Sequence, residues 1–228
     1  MLGVPTMILS IPNVLTPEEL HVITSHLNET DFVDGKTTAG WHAKVVKHNS
    51  QLKSEATYAN DLKDLVKAAL KRHLVFQMAV LPRVIHSMLF SRYEAGMSYG
   101  RHIDNALMGN QDFLRSDISL TLFLSPPSTY EGGELVIEST DAEQTYKLEA
   151  GSVIVYPSST LHRVEPVTEG VRLVAVAWVQ SLVREPSQRE ILFDLDTVRR
   201  AIFTKEGKTI EFDLISKSYA NLLRKWAE

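Results

Sequence analysis

From about residue 80 to Val179 the hydrophobic period is two, and no other feature of this chain limits its fold more. In "DISLTLFLS", Ile118, Leu120, Leu122 and Leu124 alternate with Ser119, Thr121, Phe123 and Ser125. Alternate residues of an extended chain share a face, so each such segment is a strand that commits one row to a core. "GGELVIES", "TYKLE", "SVIVYP" and "VRLVAVAWV" follow at close spacing, with turn signals at Glu131-Gly132-Gly133 and Ala150-Gly151 between them. Many short strands joined by tight turns pack as an antiparallel sandwich or a jelly roll.

Helical patterns flank this region. "LTPEELHVITSHL" opens with a capping box, Thr16 at the N-cap, Pro17 at N1 and Glu19 at N3, and then places Leu20, Ile23 and Leu27 on one face. A second helix is expected over roughly 57–74, where Leu62, Leu65, Val66, Ala69 and Leu70 make an apolar stripe. The intervening "DGKTTAGWHAKVVKHNSQL" reads as loop and short strand. After Pro186 the helical period returns, with one stripe of Ile191, Leu195, Val198 and Ile202 and another of Phe212, Ile215, Tyr219, Leu222 and Trp226. The expected fold is mainly β with helical flanks. Residues 1–79 form a helical and loop region packing on the core, 80–183 the β core, and 184–228 a C-terminal helical region.

Composition narrows the chemistry. The 228 residues include no cysteine, which excludes disulfides, iron–sulfur clusters and thiolate zinc sites and leaves any metal to histidine and carboxylate. A net charge of −4 gives no field that favours nucleic acid, and the basic cluster Lys67 to His73 reads as the solvated face of a helix. The N-terminal "MLGVPTMILSIPNVL" lacks a basic n-region and carries Pro5 and Pro12. No uncharged run approaches the length of about 18 apolar residues that a membrane span needs. Neither membrane nor nucleic acid is an expected partner, and the cytoplasm is the expected location.

Among eight histidines, two stand apart. His21, His26 and His73 fall in helical segments, and His86 in the apolar "RVIHSMLF" reads as a satisfied core or edge residue. His42 and His48 lie in the polar loop near Trp41 and Lys47. In "SYGRHIDNAL", however, His102 and Asp104 are two apart on an extended stretch, so imidazole and carboxylate project to one side. His162 follows "VIVYPSSTL", where a strand ends and a turn leads into the next, 58 residues after Asp104. In a jelly roll, positions so far apart can meet at one open end. Two histidines and one carboxylate then make the facial triad that holds non-haem Fe(II) and keeps its other positions open. The competing reading is a polar strand-end pair with His162 unrelated to it.

"EGVRLVAVAWVQ" raises a second question. Arg172 opens an otherwise apolar strand, and parity puts it on one face with Val174, Val176 and Trp178. If that face lines the interior, the guanidinium enters an apolar cavity and requires an anion, since an unpaired buried charge costs several kcal/mol. A dicarboxylic acid chelating the metal at one end would present its far carboxylate for bidentate pairing. The alternatives are a strand-end arginine paired at the surface, and Arg163 as the anion binder, although a residue beside a metal ligand should point the other way.

"YGRHIDNA", "YEGGELVI", "AGSVIVYPSSTLHRVEPVTEGVRLVAVAWVQSLVRE" and "DGKTTAGWHAKVVKHNSQL" together resemble the bacterial PKHD-type hydroxylases, relatives of prolyl 4-hydroxylase within the Fe(II)- and 2-oxoglutarate-dependent dioxygenases. The similarity runs through essentially the whole chain. It implies a double-stranded β-helix (jelly roll) core, His102, Asp104 and His162 as iron ligands, and Arg172 on the distal carboxylate of 2-oxoglutarate. Tyr93, nine residues before His102, resembles a cosubstrate-pocket tyrosine of the prolyl hydroxylases, with plain packing as its other reading. The resemblance further implies O2 as co-reactant, L-ascorbate (vitamin C) as reductant, and hydroxylation of a small-molecule, amino-acid or peptidyl substrate. Lys47, His48 and Asn49 are the candidate contacts to substrate or cosubstrate, because their loop has the composition of a cover rather than of a core, with a surface loop packed on the helices as the other reading. Two rival readings are a cupin-like iron enzyme that does without 2-oxoglutarate and a jelly-roll binding module without turnover. The oligomeric state is not encoded in any motif found.

Overall fold

The computed structural model describes residues 7–28, 32–109, 112–139 and 142–228. Pro5 and the start of the apolar N-terminal run lie outside the described residues. The chain begins with β1 (Leu9–Ile11), α1 (Pro17–Asn28) and β2 (Phe32–Asp34), followed by β3 (Lys47–His48), β4 (Ser50–Leu52), α2 (Ala59–Arg72) and α3 (Leu74–Val80). The central region holds β5 (Pro82–Tyr93), β6 (Ser98–His102), β7 (Leu107–Met108), β8 (Leu114–Arg115), β9 (Ile118–Phe123), β10 (Tyr130–Gly132) and β11 (Leu135–Glu138). It continues through β12 (Glu143–Tyr146), β13 (Val153–Pro157), β14 (His162–Val164), β15 (Val167–Gly170) and β16 (Arg172–Ser181). Two long helices, α4 (Pro186–Glu206) and α5 (Ile210–Trp226), close the chain.

The strands form a seven-stranded sheet in the order β1-β13-β9-β16-β5-β4-β2 and a five-stranded sheet in the order β12-β11-β14-β6-β3. Their pairings are antiparallel throughout, the jelly-roll arrangement of the core. Strand parity divides β16 between two cores. Leu173, Ala175, Ala177 and Val179 pack with the helices behind the large sheet, among them Leu62, Val66 and Phe76, whereas Val174 joins Ile137, Ile154 and Tyr156 between the sheets. The polar row of β9 is buried as deeply as its apolar row, so Ser119 and Thr121 face an interior and not solvent.

Three features depart from the periodic reading. Leu74–Val80 forms a further helix behind α2, burying Phe76, Met78, Ala79 and Val80 and leaving Leu74 exposed; its nearly continuous apolar run carries no helical alternation to announce it. The N-terminal region does more than pack on the core, for β1, β2 and β4 extend the large sheet and β3 edges the small one. In α4, Ile191 and Val198 of the expected stripe are exposed, and the face turned inward carries Arg189, Leu192 and Asp196. Those charges are satisfied where they lie: Arg189 Nη1 donates to the carbonyls of Val183 and Arg184, and Asp196 pairs with Arg199 and Arg200. An apolar-only count of the helix face passes over them. The capping box of α1 is formed as expected, Thr16 N–H donating to Glu19 Oε2 at 2.9 Å and Glu19 N–H to Thr16 Oγ1 at 3.2 Å.

Candidate metal centre

His102 ends β6, and the register of β6 with β14 sets it directly opposite His162. Antiparallel pairing thus joins two residues remote in sequence, and their ring centroids are 4.3 Å apart. Asp104 lies just past the end of β6, with the exposed Ile103 between the two candidate ligands. His102 Nε2 is 4.0 Å from Asp104 Oδ1 and His162 Nε2 is 3.8 Å from Asp104 Oδ2. One donor atom from each residue lies within 4.8 Å of the other two.

Each imidazole is oriented by its own backbone. His102 Nδ1–H donates to the Gly100 carbonyl at 2.8 Å and His162 Nδ1–H to the Thr160 carbonyl at 3.0 Å. A carbonyl only accepts, so both rings carry their proton on Nδ1 and turn the Nε2 lone pair toward Asp104. Burial lowers the His102 pKa to about 4, helped by the neighbouring His162. The ring is neutral and ready to ligate at ordinary pH. Ser119 Oγ donates to Asp104 Oδ2 at 2.6 Å and sits 2.8 Å from Ser158 Oγ, which fixes the carboxylate from behind. Tyr99 stacks on His102 at 3.6 Å between centroids, and Tyr156 meets His162 edge-on at 5.1 Å. A donor set of two imidazoles and one carboxylate, held by outer hydrogen bonds, fits a divalent cation of the Fe(II) class.

These residues open into a cavity of about 840 Å³ that reaches Arg172. Arg172 is the largest fully buried side chain, 1% exposed, yet its Nε and Nη1 have no hydrogen-bond partner. Its guanidinium lies 4.9 Å from the Tyr93 ring centroid and 5.6 Å from that of Phe123. The Tyr130 hydroxyl and both polar atoms of the Asn49 amide are likewise buried without a partner at full hydrogen-bond geometry, although Tyr130 lies close enough to Arg172, and Asn49 to Tyr93, to interact with it. Burial raises the Tyr93 phenol pKa, while the Arg172 charge opposes the rise. So many unpartnered polar atoms around one guanidinium fit a bound carboxylate. Gly133 makes the pocket possible: at φ +68°, a Cβ there would come within 3.0 Å of Arg172 Cδ and 2.8 Å of Val167 Cγ2. Arg163, the other candidate, faces outward and pairs with Glu143 and Glu165, each at 2.7 Å.

The N-terminal loop does border this cavity, although not with every residue expected. Lys47 and Asn49, two apart, face inward at 4% and 3% exposure, whereas His48 between them is exposed and lies off the cavity wall. Trp41 is 86% exposed, beside His42. Lys47 Nζ donates to Thr38 Oγ1 at 3.0 Å and lies 5.2 Å from the Tyr99 ring centroid. Thr38 Oγ1 donates in turn to Gln51 Oε1 at 2.5 Å, and Gln51 Nε2 to Ser91 Oγ at 3.3 Å. His86 is a satisfied edge residue, bonded to Ser87 Oγ and the Arg115 carbonyl.

Sequence reasoning passed over Ser119, Tyr99, Phe123, Tyr130 and Gly133. The polar row of "DISLTLFLS" and the doubled glycine of "YEGGELVI" were the available signals.

Comparison with known proteins places the chain in a family. The 2OG-Fe(II) oxygenase superfamily matches residues 88–180, and the PKHD-type hydroxylase C-terminal domain matches residues 187–228. A PKHD-type hydroxylase of Rippkaea orientalis is 64% identical over 222 residues, 97% of this chain and 100% of the relative. One from Gloeothece citriformis is 66% identical over the same span and the same shares. A Pseudomonas putida prolyl-4-hydroxylase superposes with TM-score 0.53 at 18% identity, covering 77% of this chain and 93% of that one. A Trichoplax adhaerens prolyl hydroxylase, solved with a peptide fragment of hypoxia inducible factor, gives 0.54 at 15% identity over 81% and 86%. These structural likenesses bear on the fold.

Proposed function

The chain belongs to the PKHD-type hydroxylase family and is an Fe(II)- and 2-oxoglutarate-dependent hydroxylase, and we propose that His102, Asp104 and His162 hold its iron while Arg172 anchors its cosubstrate. The observation that carries this assignment is the pairing, in one cavity, of two tautomer-fixed imidazoles beside a carboxylate with a buried guanidinium whose Nε and Nη1 no protein acceptor satisfies. Bound there, Fe(II) and 2-oxoglutarate supply an O2-dependent oxidation that converts a substrate C–H to C–OH and releases succinate and CO2.

The residues of the chain divide the remaining work. Gly100 and Thr160 carbonyls keep both Nε2 atoms unprotonated, and Ser119 holds Asp104. Arg172, flanked by Tyr93, takes the distal carboxylate of 2-oxoglutarate as a planar fork. The requirement for that anion is also what sets this reading above an iron enzyme working without 2-oxoglutarate. Lys47 and Asn49 face substrate or cosubstrate from the loop side, and the Gly35–Val46 segment forms the cover that keeps water from the site. Ascorbate as reductant, a cytoplasmic location, and an amino-acid or peptidyl substrate are part of the proposal, supported by the family likeness and by the cysteine-free sequence.

The test is anaerobic. Fe(II) and 2-oxoglutarate together should give a charge-transfer band in the wild type, absent from His102→Ala, Asp104→Ala and His162→Ala. Succinate production at the wild-type rate by any of these variants would overturn the ligand assignment.

A further inference from the structure

The cavity wall carries more positive charge than iron and cosubstrate account for. Among the described residues lining it are the cations Lys47, Lys63, Lys67 and Arg172, against the single carboxylate of Asp104. When Fe(II) and 2-oxoglutarate bind, two metal charges and Arg172 are offset by Asp104 and the two carboxylates of the cosubstrate. Lys67 is offset by Asp64, 3.1 Å away. Lys47 and Lys63 remain, and neither has an ion-pair partner among the described residues. Lys63 is half-buried at the rim, but Lys47 lies at depth with 4% exposure.

Lys47 is built in rather than incidental. Of the three hydrogen bonds an ammonium donates, Nζ makes one, to Thr38 Oγ1, and Thr38 is itself held through Gln51 to Ser91 on the large sheet. That chain fixes the ammonium beside Tyr99, whose ring stacks on His102. Burial lowers the pKa of this cation to about 8 against the pull of the Asp104 and Asp34 carboxylates, neither of which lies within ion-pair distance of it. A fold that accepts this cost one aromatic ring away from a metal ligand, when the outward-facing position of His48 is adjacent, is using the charge.

We propose that Lys47 is the anion anchor of the primary-substrate site, so that the molecule hydroxylated is a small carboxylic acid that sets its carboxylate on the Lys47 ammonium while Arg172 holds the cosubstrate. The inference rests on the iron and 2-oxoglutarate assignment given above and names the substrate class for that site. A volume of about 840 Å³ has room for a compact acid beside 2-oxoglutarate. The buried charge of Lys47 is then offset, leaving only the half-buried Lys63, and a neutral analogue leaves Lys47 buried and unpaired, which is how a polar site rejects the wrong substrate.

The probe is trifluoroacetate, followed by ¹⁹F line broadening in anaerobic protein saturated with Fe(II) and 2-oxoglutarate, with trifluoroacetamide as its neutral isostere. Trifluoroacetate is expected to broaden in the wild type and trifluoroacetamide to stay sharp. Lys47→Met and Lys47→Gln should each weaken trifluoroacetate by about tenfold or more, the loss of one charge-assisted contact. Their 2-oxoglutarate affinity, read from the charge-transfer band, should stay within about twofold, as for independent sites, and shows that they are folded. The proposal is overturned if the amide binds as well as the acid, if wild-type binding is absent or survives in both variants, or if either variant loses 2-oxoglutarate as Arg172→Ala does. That last result would assign Lys47 to the cosubstrate. A wild type without a charge-transfer band would instead defeat the iron and cosubstrate assignment, and the same ¹⁹F titration on metal-free protein would still decide the role of Lys47.

Discussion

Replacing Arg172 with Met separates a binding role from a structural one, because the two predict opposite signs. In the ligand-free protein the guanidinium is 1% exposed with Nε and Nη1 unpartnered. A buried charge without an anion costs several kcal/mol, and its contacts with Tyr93 and Phe123 return about 0.5–2 kcal/mol each. A methionine of similar length fills the space without the charge, so Arg172→Met should leave the ligand-free protein as stable as the wild type or more so. The cosubstrate should reverse the order. The charge-assisted bidentate pair contributes about 1.5–3 kcal/mol as a whole, so losing it weakens 2-oxoglutarate by about 10- to 150-fold.

Thermal unfolding under anaerobic Fe(II) reads both effects. With 2-oxoglutarate at about one hundred times the wild-type Kd, binding stabilises the wild type by about 2.7 kcal/mol, but a site one hundredfold weaker by only about 0.4 kcal/mol. For a chain of this size about 1 kcal/mol moves the Tm by about 2–4 °C, which gives about 5–11 °C for the wild type and about 1–2 °C for the variant. Arg172→Lys should fall between them, since an ammonium cannot form the planar fork. A large loss of Tm in ligand-free Arg172→Met, or an undiminished shift with 2-oxoglutarate, would refute the reasoning.

Ser119→Ala removes the hydroxyl behind Asp104 and should weaken Fe(II) by about 10- to 100-fold with the fold intact, measured by anaerobic metal titration. Gly133→Ala forces a Cβ against Arg172 Cδ and Val167 Cγ2 at φ +68°; it should cost about 1–2 kcal/mol of stability by denaturant unfolding and weaken 2-oxoglutarate as well. Metal-free protein should lose stability as pH falls from about 6.5 to about 4. The folded His102 pKa is depressed to about 4, so the unfolded chain takes up the proton first, and the stability is fully present only above the unfolded value. His102→Gln should flatten that slope, and an unchanged profile would mean that His102 does not titrate this way.

How much of the centre could be read from the sequence depends on the kind of constraint that placed each residue. His102 and Asp104 are legible because an extended chain puts i and i+2 on one side, and the two do meet in the fold, with Nε2 and Oδ1 4.0 Å apart, although Asp104 already lies past the end of β6. Arg172 is legible for the same reason, sharing its side of β16 with Val174 and Val176, on the opposite face from Leu173 and Ala175. The meeting of His102 with His162 is a matter of register between β6 and β14, and register across 60 residues has no local signal. The Lys47–Thr38–Gln51–Ser91 chain joins β3, the loop before it, β4 and β5, so no single window contains it. His48 shows the limit of reading a loop by composition. Its two-residue strand alternates like any other, and one step in sequence separates a buried ammonium from an exposed imidazole.

The polar rows of the inner sheet faces follow from what the cavity must hold. A jelly roll filled by apolar rows on both sheets would close on itself, as it does where Ile137, Ile154 and Val174 meet. Toward the metal centre β5 and β9 carry Ser91, Ser119 and Thr121 instead, each 3% exposed or less. Binary patterning scores these positions as the solvent face of an amphipathic strand, because it cannot distinguish solvent from an interior cavity. Buried hydroxyls in such a place need partners, and here Ser119 finds Asp104 while Ser91 finds Gln51. The alternation that announces the fold therefore also marks the site: where both rows of a strand are buried and one of them is polar, that row is the wall of the chamber in which the chemistry takes place.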